Sequence, residues 1–130
     1  MIGMAYPCGG INNDERVADI IRQNTGIKYA RTIISNYDFS EQNNLFQFNP
    51  TVHLTEVDKL FELGSQFLEV DCSEPMLFYI WGHSYELDLC DLWQRFESFC
   101  ELISGHEEIF YWTNKEILLK SLRKDDSLWI

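Results

Sequence analysis

Apolar positions along the chain alternate between short continuous runs and longer stretches spaced three or four apart. That alternation predicts strands interleaved with helices. Ile2–Tyr6 is a short apolar run halted by Pro7-Cys8-Gly9-Gly10, a strand entering a turn. Asn12 or Asn13 is placed to cap the next helix, which buries Val17, Ile20 and Ile21 and closes at Gly26. Lys28–Ile34 reads as a second strand. A polar, Asn-rich loop from Ser35 to Asn44 then leads into the extended FQFNPTVHL.

Thr55 and Asp58 have capping-box spacing and open a helix with Val57, Leu60, Phe61, Phe67 and Leu68 on one face. Met76–Trp81 is the next strand. Asp88 is placed to cap a longer helix whose inner face carries Leu89, Leu92, Trp93, Phe96, Phe99 and Ile103, ending at Gly105. Ile109–Trp112 reads as a final strand, and Thr113 with Glu116 caps a last helix running to about Leu122, before a loose tail from 123 to 130. The order β-α-β-(loop)-α-β-α-β-α predicts one α/β domain over 1–130, with helices packed on a parallel sheet.

Composition narrows the function classes. A 45% hydrophobic, 15% aromatic chain of 130 residues is long enough to bury a core. A net charge of −11 argues against nucleic acid or an anionic membrane surface as partner. Residues 51–100 carry ten Asp/Glu against only Lys59 and Arg95, which reads as a solvated acidic face. The four cysteines form no CxxC. Cys90 and Cys100 fall among the apolar positions of one helix, as expected of buried, reduced thiols. The opening MIGMAYPCGG has neither the basic start nor the apolar run of a signal peptide, and no segment has the ~18 apolar residues of a membrane span. The expected location is cytoplasmic.

In parallel α/β folds, sites form where strands end and loops begin. Three such exits carry chemistry here: Tyr6-Pro7-Cys8-Gly9, the loop holding Asp38 and Phe39, and Trp81-Gly82-His83. On one rim they would combine a tight turn, a carboxylate, an imidazole and aromatics. Each has a plainer reading. Pro-Cys-Gly-Gly suits any turn, Asp38 suits a solvated loop, and His83 is either a working group or a histidine that ends a strand. His106 reads as an exposed turn residue. His53, after Asn-Pro, reads as surface, with the rim as the alternative. None of the three histidines pairs with another at a ligand spacing along the chain.

MAYPCG, SNYDF and WGHSYEL, in that order, resemble the later motifs of the NodB-homology polysaccharide deacetylases. The family's third motif, Arg-x-Pro-Tyr/Phe-Gly, corresponds to Ala5–Gly9, which keeps the Pro and Gly but lacks the Arg and the aromatic. The fourth, Asp-x-x-Asp-Trp, corresponds to Ser35–Phe39, with Asp38 identical and Phe39 aromatic. The fifth, Leu-x-His, corresponds to Trp81–His83. The resemblance extends to about Trp112. It implies a distorted (β/α) barrel and metal-dependent removal of N- or O-acetyl groups from carbohydrate.

By the same resemblance His83 is the general acid, the Cys8 N–H helps bind the oxyanion, and Trp81 lines the acetyl pocket with Tyr6, Pro7, Gly9, Asp38 and Phe39 around it. Arg31 is the candidate replacement for the missing third-motif Arg. The family's first two motifs, which supply the aspartate base and the Asp and His metal ligands, have no counterpart here. The resemblance therefore implies the C-terminal half of a barrel, inactive alone. It implies no metal bound by this chain, a divalent ion such as zinc belonging only to the complete domain. A half barrel leaves strand edges exposed, so a homodimer is expected. Two other readings stay open: a non-catalytic carbohydrate-binding or assembly module, and an unrelated small α/β interaction domain.

Overall fold

A computed structural model describes residues 1–8, 12–71 and 75–119. In chain order the elements are β1 (Gly3–Ala5), α1 (Glu15–Asn24), β2 (Tyr29–Arg31), β3 (Val52–His53), α2 (Val57–Glu69), β4 (Ile80–Trp81), α3 (Ser84–Leu89), α4 (Trp93–Ile103) and α5 (Asn114–Leu118), with a 3-10 turn at Leu45–Gln47. The described strands pair in parallel, in two two-stranded sheets. The chain divides into two compact units. The first holds Met1–Thr32, Asn44–Phe48 and Glu108–Ile130; the second holds Ile33–Asn43 and Asn49–Glu107.

The first unit is built on a βαβ crossover. β1 and β2 pair with Met4 opposite Ala30, and α1 connects them. The helix begins at Asp14 rather than Asn12 or Asn13, because the Asp14 carboxylate accepts the Val17 N–H at 2.8 Å. Ala18 and Ala30 are fully buried. Phe48, also buried, extends the pairing: its N–H donates to the Ala30 carbonyl and its own carbonyl accepts from the Thr32 N–H. The Thr113–Glu116 capping box forms at the start of α5 as its spacing predicts. The expected strand Ile109–Trp112 is not a strand, and Phe110, Tyr111 and Trp112 stand exposed. A short apolar run does not by itself distinguish a strand from other structure. The expected extension of α5 to Leu122 and the loose tail lie outside the described residues.

The second unit repeats the crossover as β3–α2–β4, with Val52 opposite Ile80 and His53 opposite Trp81. Val52, Leu60, Leu63 and Phe99 form its buried core, ringed by Phe39, Phe61, Phe78, Ile80 and Phe96. Thr55 does not cap α2. Its backbone and hydroxyl both turn to the His53 ring instead, and Glu56 occupies the cap position. The single helix expected from Asp88 is two helices. α3 starts earlier, at Ser84, and the chain breaks at Asp91, whose φ of +52° is a left-handed conformation that aspartate tolerates. Asp88 accepts the Trp93 indole N–H at 2.6 Å across the break. Cys90 and Cys100 are free and exposed, not buried as their spacing implied; the break and the outward faces of α3 and α4 put them at the surface.

Gly64 is where α2 and α4 meet. A Cβ built there would stand 2.7 Å from a ring carbon of Phe99, which is 1% exposed and has no room to retreat. Replacing a helical glycine by alanine normally stabilises by about 0.5–1 kcal/mol, whereas overpacking a core costs about 1–3 kcal/mol. Gly64→Ala is therefore expected to lower stability by a net ~1 kcal/mol in urea unfolding. A rise in the midpoint would contradict this packing.

Candidate functional site

The residues expected on one rim belong to different units. In the first, Tyr6 is 4% exposed, and its hydroxyl donates to the Phe46 carbonyl at 2.7 Å. Burial raises its phenol pKa; the nearby Arg22 guanidinium opposes that, and Asp14 and Glu15 add to it. Pro7 and Cys8 are exposed in the turn, with Cys8 at φ +63°. Gly9 lies outside the described residues. The Arg31 guanidinium donates to the Thr32 carbonyl at 2.8 Å.

Asp38, Phe39, Trp81 and His83 belong to the second unit. Phe39 packs edge-on against Phe67 and Phe78, so it serves the core. Asp38 is exposed. Its carboxylate accepts the Ser40 N–H at 3.1 Å and the Ser40 hydroxyl at 3.0 Å, and these bonds hold its pKa below the usual aspartate value.

What the second unit does bring together lies at the paired exits of β3 and β4. Each strand ends in the same local sequence, a histidine followed three residues later by a glutamate: His53-Leu54-Thr55-Glu56 and His83-Ser84-Tyr85-Glu86. Each closes the same turn. The Glu56 N–H donates to the His53 carbonyl and the Glu86 N–H to the His83 carbonyl, both at 3.0 Å. Each glutamate carboxylate in turn accepts its histidine's backbone N–H, at 3.3 Å for Glu56 and 2.7 Å for Glu86. Parallel pairing sets the two turns side by side: the Leu54 N–H donates to the Trp81 carbonyl at 2.8 Å.

The two glutamates then part ways. Glu56 is taken up by the Tyr37 hydroxyl at 2.7 Å and the Ser35 hydroxyl at 3.2 Å. Glu86 faces both imidazoles, with Oε2 3.1 Å from His83 Nδ1 and 3.3 Å from His53 Nε2. One ligating atom from each of His53, His83 and Glu86 lies within 4.8 Å of the other two. Burial alone would raise the Glu86 pKa, but the N–H and ring of His83 and the positive character of both imidazoles outweigh it, and the net direction is down. A carboxylate only accepts hydrogen bonds, so His83 Nδ1 carries the hydrogen that faces it. The Thr55 N–H donates to His53 Nδ1 at 3.3 Å, which leaves the hydrogen of that neutral ring on Nε2, the nitrogen in ionic contact with Glu86.

The surroundings are aromatic on one side and open on the other. The Trp81 ring meets the His53 ring edge-on at 4.3 Å, and Tyr85 stacks on His83 at 5.2 Å. The His53 and Glu86 side chains are mostly covered, whereas His83 is 53% exposed. Two imidazole nitrogens and a carboxylate oxygen are donors that suit a borderline cation such as zinc. Sequence reasoning singled out His83, placed His53 at the surface and passed over Glu86. The repeated His-x-x-Glu at two strand ends was the signal that could have joined them.

Comparison with protein-family models, curated proteins and solved structures finds no match for this chain. No helix among the described residues is long and apolar enough to cross a membrane.

Two outcomes test this geometry. Gly82, at φ +156°, passes so close to Leu54 that a Cβ would stand 2.1 Å from its Cδ2, so Gly82→Ala is expected to cost about 1–3 kcal/mol. Equal thermal stability of variant and parent would contradict it. Because the Asp38 pKa is lowered on folding, its contribution is full above the ordinary aspartate value and fades as pH falls through it. The stability gap between parent and Asp38→Asn is expected to be constant near neutrality and to narrow as pH falls below about 4, toward the lower folded-state value. A gap that does not narrow in acid would contradict the assignment.

Proposed function

We propose that this chain supplies the proton-donating part of a carbohydrate deacetylase-type site, with His83 as the acid and acetylated sugar as the substrate class. One observation supports it: an exposed imidazole at a strand exit has one nitrogen engaged by a carboxylate. Glu86 orients His83 through Nδ1 and leaves Nε2 as the nitrogen for proton transfer. In the reaction, water adds to the acetyl carbon and the bond from that carbon to the sugar nitrogen or oxygen breaks. His83 Nε2 delivers a proton to the departing amine or alcohol, matching the proton lost by water, and acetate leaves. A bound divalent ion would supply positive charge to polarise the acyl carbonyl; with His83 engaged as the acid, His53 is the neighbouring imidazole of this chain that would help hold it.

A second reading, carbohydrate binding without turnover, is favoured by Tyr85, which is 56% exposed and lies nearly flat against the His83 ring. Such a surface suits the apolar face of a sugar.

Titration with N-acetylglucosamine oligomers separates these readings. Both expect the ring resonances of His83 and Tyr85 to shift. The catalytic reading expects acetate release that falls about 10²- to 10⁴-fold in His83→Asn. Binding without acetate release supports the second reading and the expectation that the chain is inactive alone. No shift of either ring overturns both.

A further inference from the structure

We propose that His53 Nε2, His83 Nδ1 and Glu86 Oε2 form a binding site for a divalent transition-metal cation, with zinc as its first candidate. The inference does not depend on the proton-transfer reading, and a cation seated on His83 Nδ1 takes that ring out of the acid's role while it is bound.

Four observations carry it. The first is donor chemistry: two imidazoles and a carboxylate are the nitrogen and oxygen donors that zinc takes in three-ligand sites with an open position. The second is spacing. Ligand atoms ~2.0–2.1 Å from a tetrahedral zinc stand ~3.3 Å from one another. Glu86 Oε2 is 3.1 Å from one imidazole nitrogen and 3.3 Å from the other, and all three donors fall within 4.8 Å.

The third is support behind the donors. His53 Nδ1 lies 2.6 Å from the Thr55 hydroxyl, which either donates or accepts. Once a cation takes Nε2, the ring's hydrogen moves to Nδ1 and donates to Thr55 Oγ1, the outer hydrogen bond that metal-bound histidines usually make. His53 is further fixed by the edge of Trp81, and its backbone N–H by Glu56, which Tyr37 and Ser35 hold in place. The fourth is access: His53 and Glu86 are mostly covered while His83 is half open, so the donors line a recess with one side free for water or another ligand.

Alone, Glu86 accepts one imidazole hydrogen, from His83, and stands in ionic contact with His53. A divalent cation replaces both contacts with a single, stronger partner. Spacing along the sequence gave no hint of this, because the two histidines are brought together by the parallel pairing of β3 with β4 and not by a shared helix face.

The test is calorimetric titration of the full chain with zinc chloride, with the cysteines alkylated so that thiolates do not compete. The expected result is saturable binding at one ion per chain. It should weaken more than about 100-fold in His53→Ala and in Glu86→Gln, since loss of a direct ligand exceeds the 10–100-fold cost of losing an outer-shell partner. Thr55→Val should weaken it by about tenfold while leaving the fold intact. If a ligand variant fails to fold by circular dichroism, cobalt(II) added to the parent chain decides. Paramagnetic shifts on the ring protons of both His53 and His83 support the site, and unshifted rings overturn it. No saturable zinc binding, or equal affinity in the folded variants, also overturns it.

Discussion

The Glu86 carboxylate is the point on which the upper end of the second unit is organised. It closes the first turn of α3 by accepting the His83 backbone N–H, and the same oxygen faces the rings of His83 and His53. A partly covered carboxylate is costly to keep charged unless donors surround it. Here the backbone N–H and the ring of His83 do so by hydrogen bonds, with the His53 imidazole in ionic contact, which is why the net direction of its pKa is down despite burial.

The arrangement follows from a device used twice. β3 ends in a histidine and β4 is followed two residues on by another; each histidine is followed three residues later by a glutamate that accepts the histidine's own N–H. Parallel pairing, with His53 opposite Trp81, brings the two turns together, and the two glutamates acquire different partners. Glu56 is absorbed by Tyr37 and Ser35 in the loop between residues 33 and 43. Glu86 has no such hydroxyls and turns to the imidazoles. Gly82 makes the closeness possible, since any side chain there would collide with Leu54 at the neighbouring exit.

Local features were the legible part of the sequence. The Thr113–Glu116 box, the amphipathic α2 and the first parallel βαβ crossover all rest on spacing within one element or between neighbours, and the chain folds accordingly. Features settled by distant partners were not. The break at Asp91 depends on a left-handed residue that aspartate tolerates but does not announce, and the apolar run Ile109–Trp112 does not form a strand. His83 drew notice because Gly-His is an odd way to leave a strand. His53 did not, because its significance lies in a register with Trp81 that no local spacing encodes.

The most direct measurement is the tautomeric state of the two histidines in the metal-free chain, from long-range proton–nitrogen correlations of the imidazole rings near neutral pH. If Glu86 organises this site, neutral His83 carries its hydrogen on Nδ1, against the usual preference for Nε2, while neutral His53 carries its own on Nε2. Glu86→Gln, whose amide can donate as well as accept, removes the bias at His83. Finding His83 in the Nε2–H form in the parent chain, unchanged by Glu86→Gln, would contradict the account at its centre.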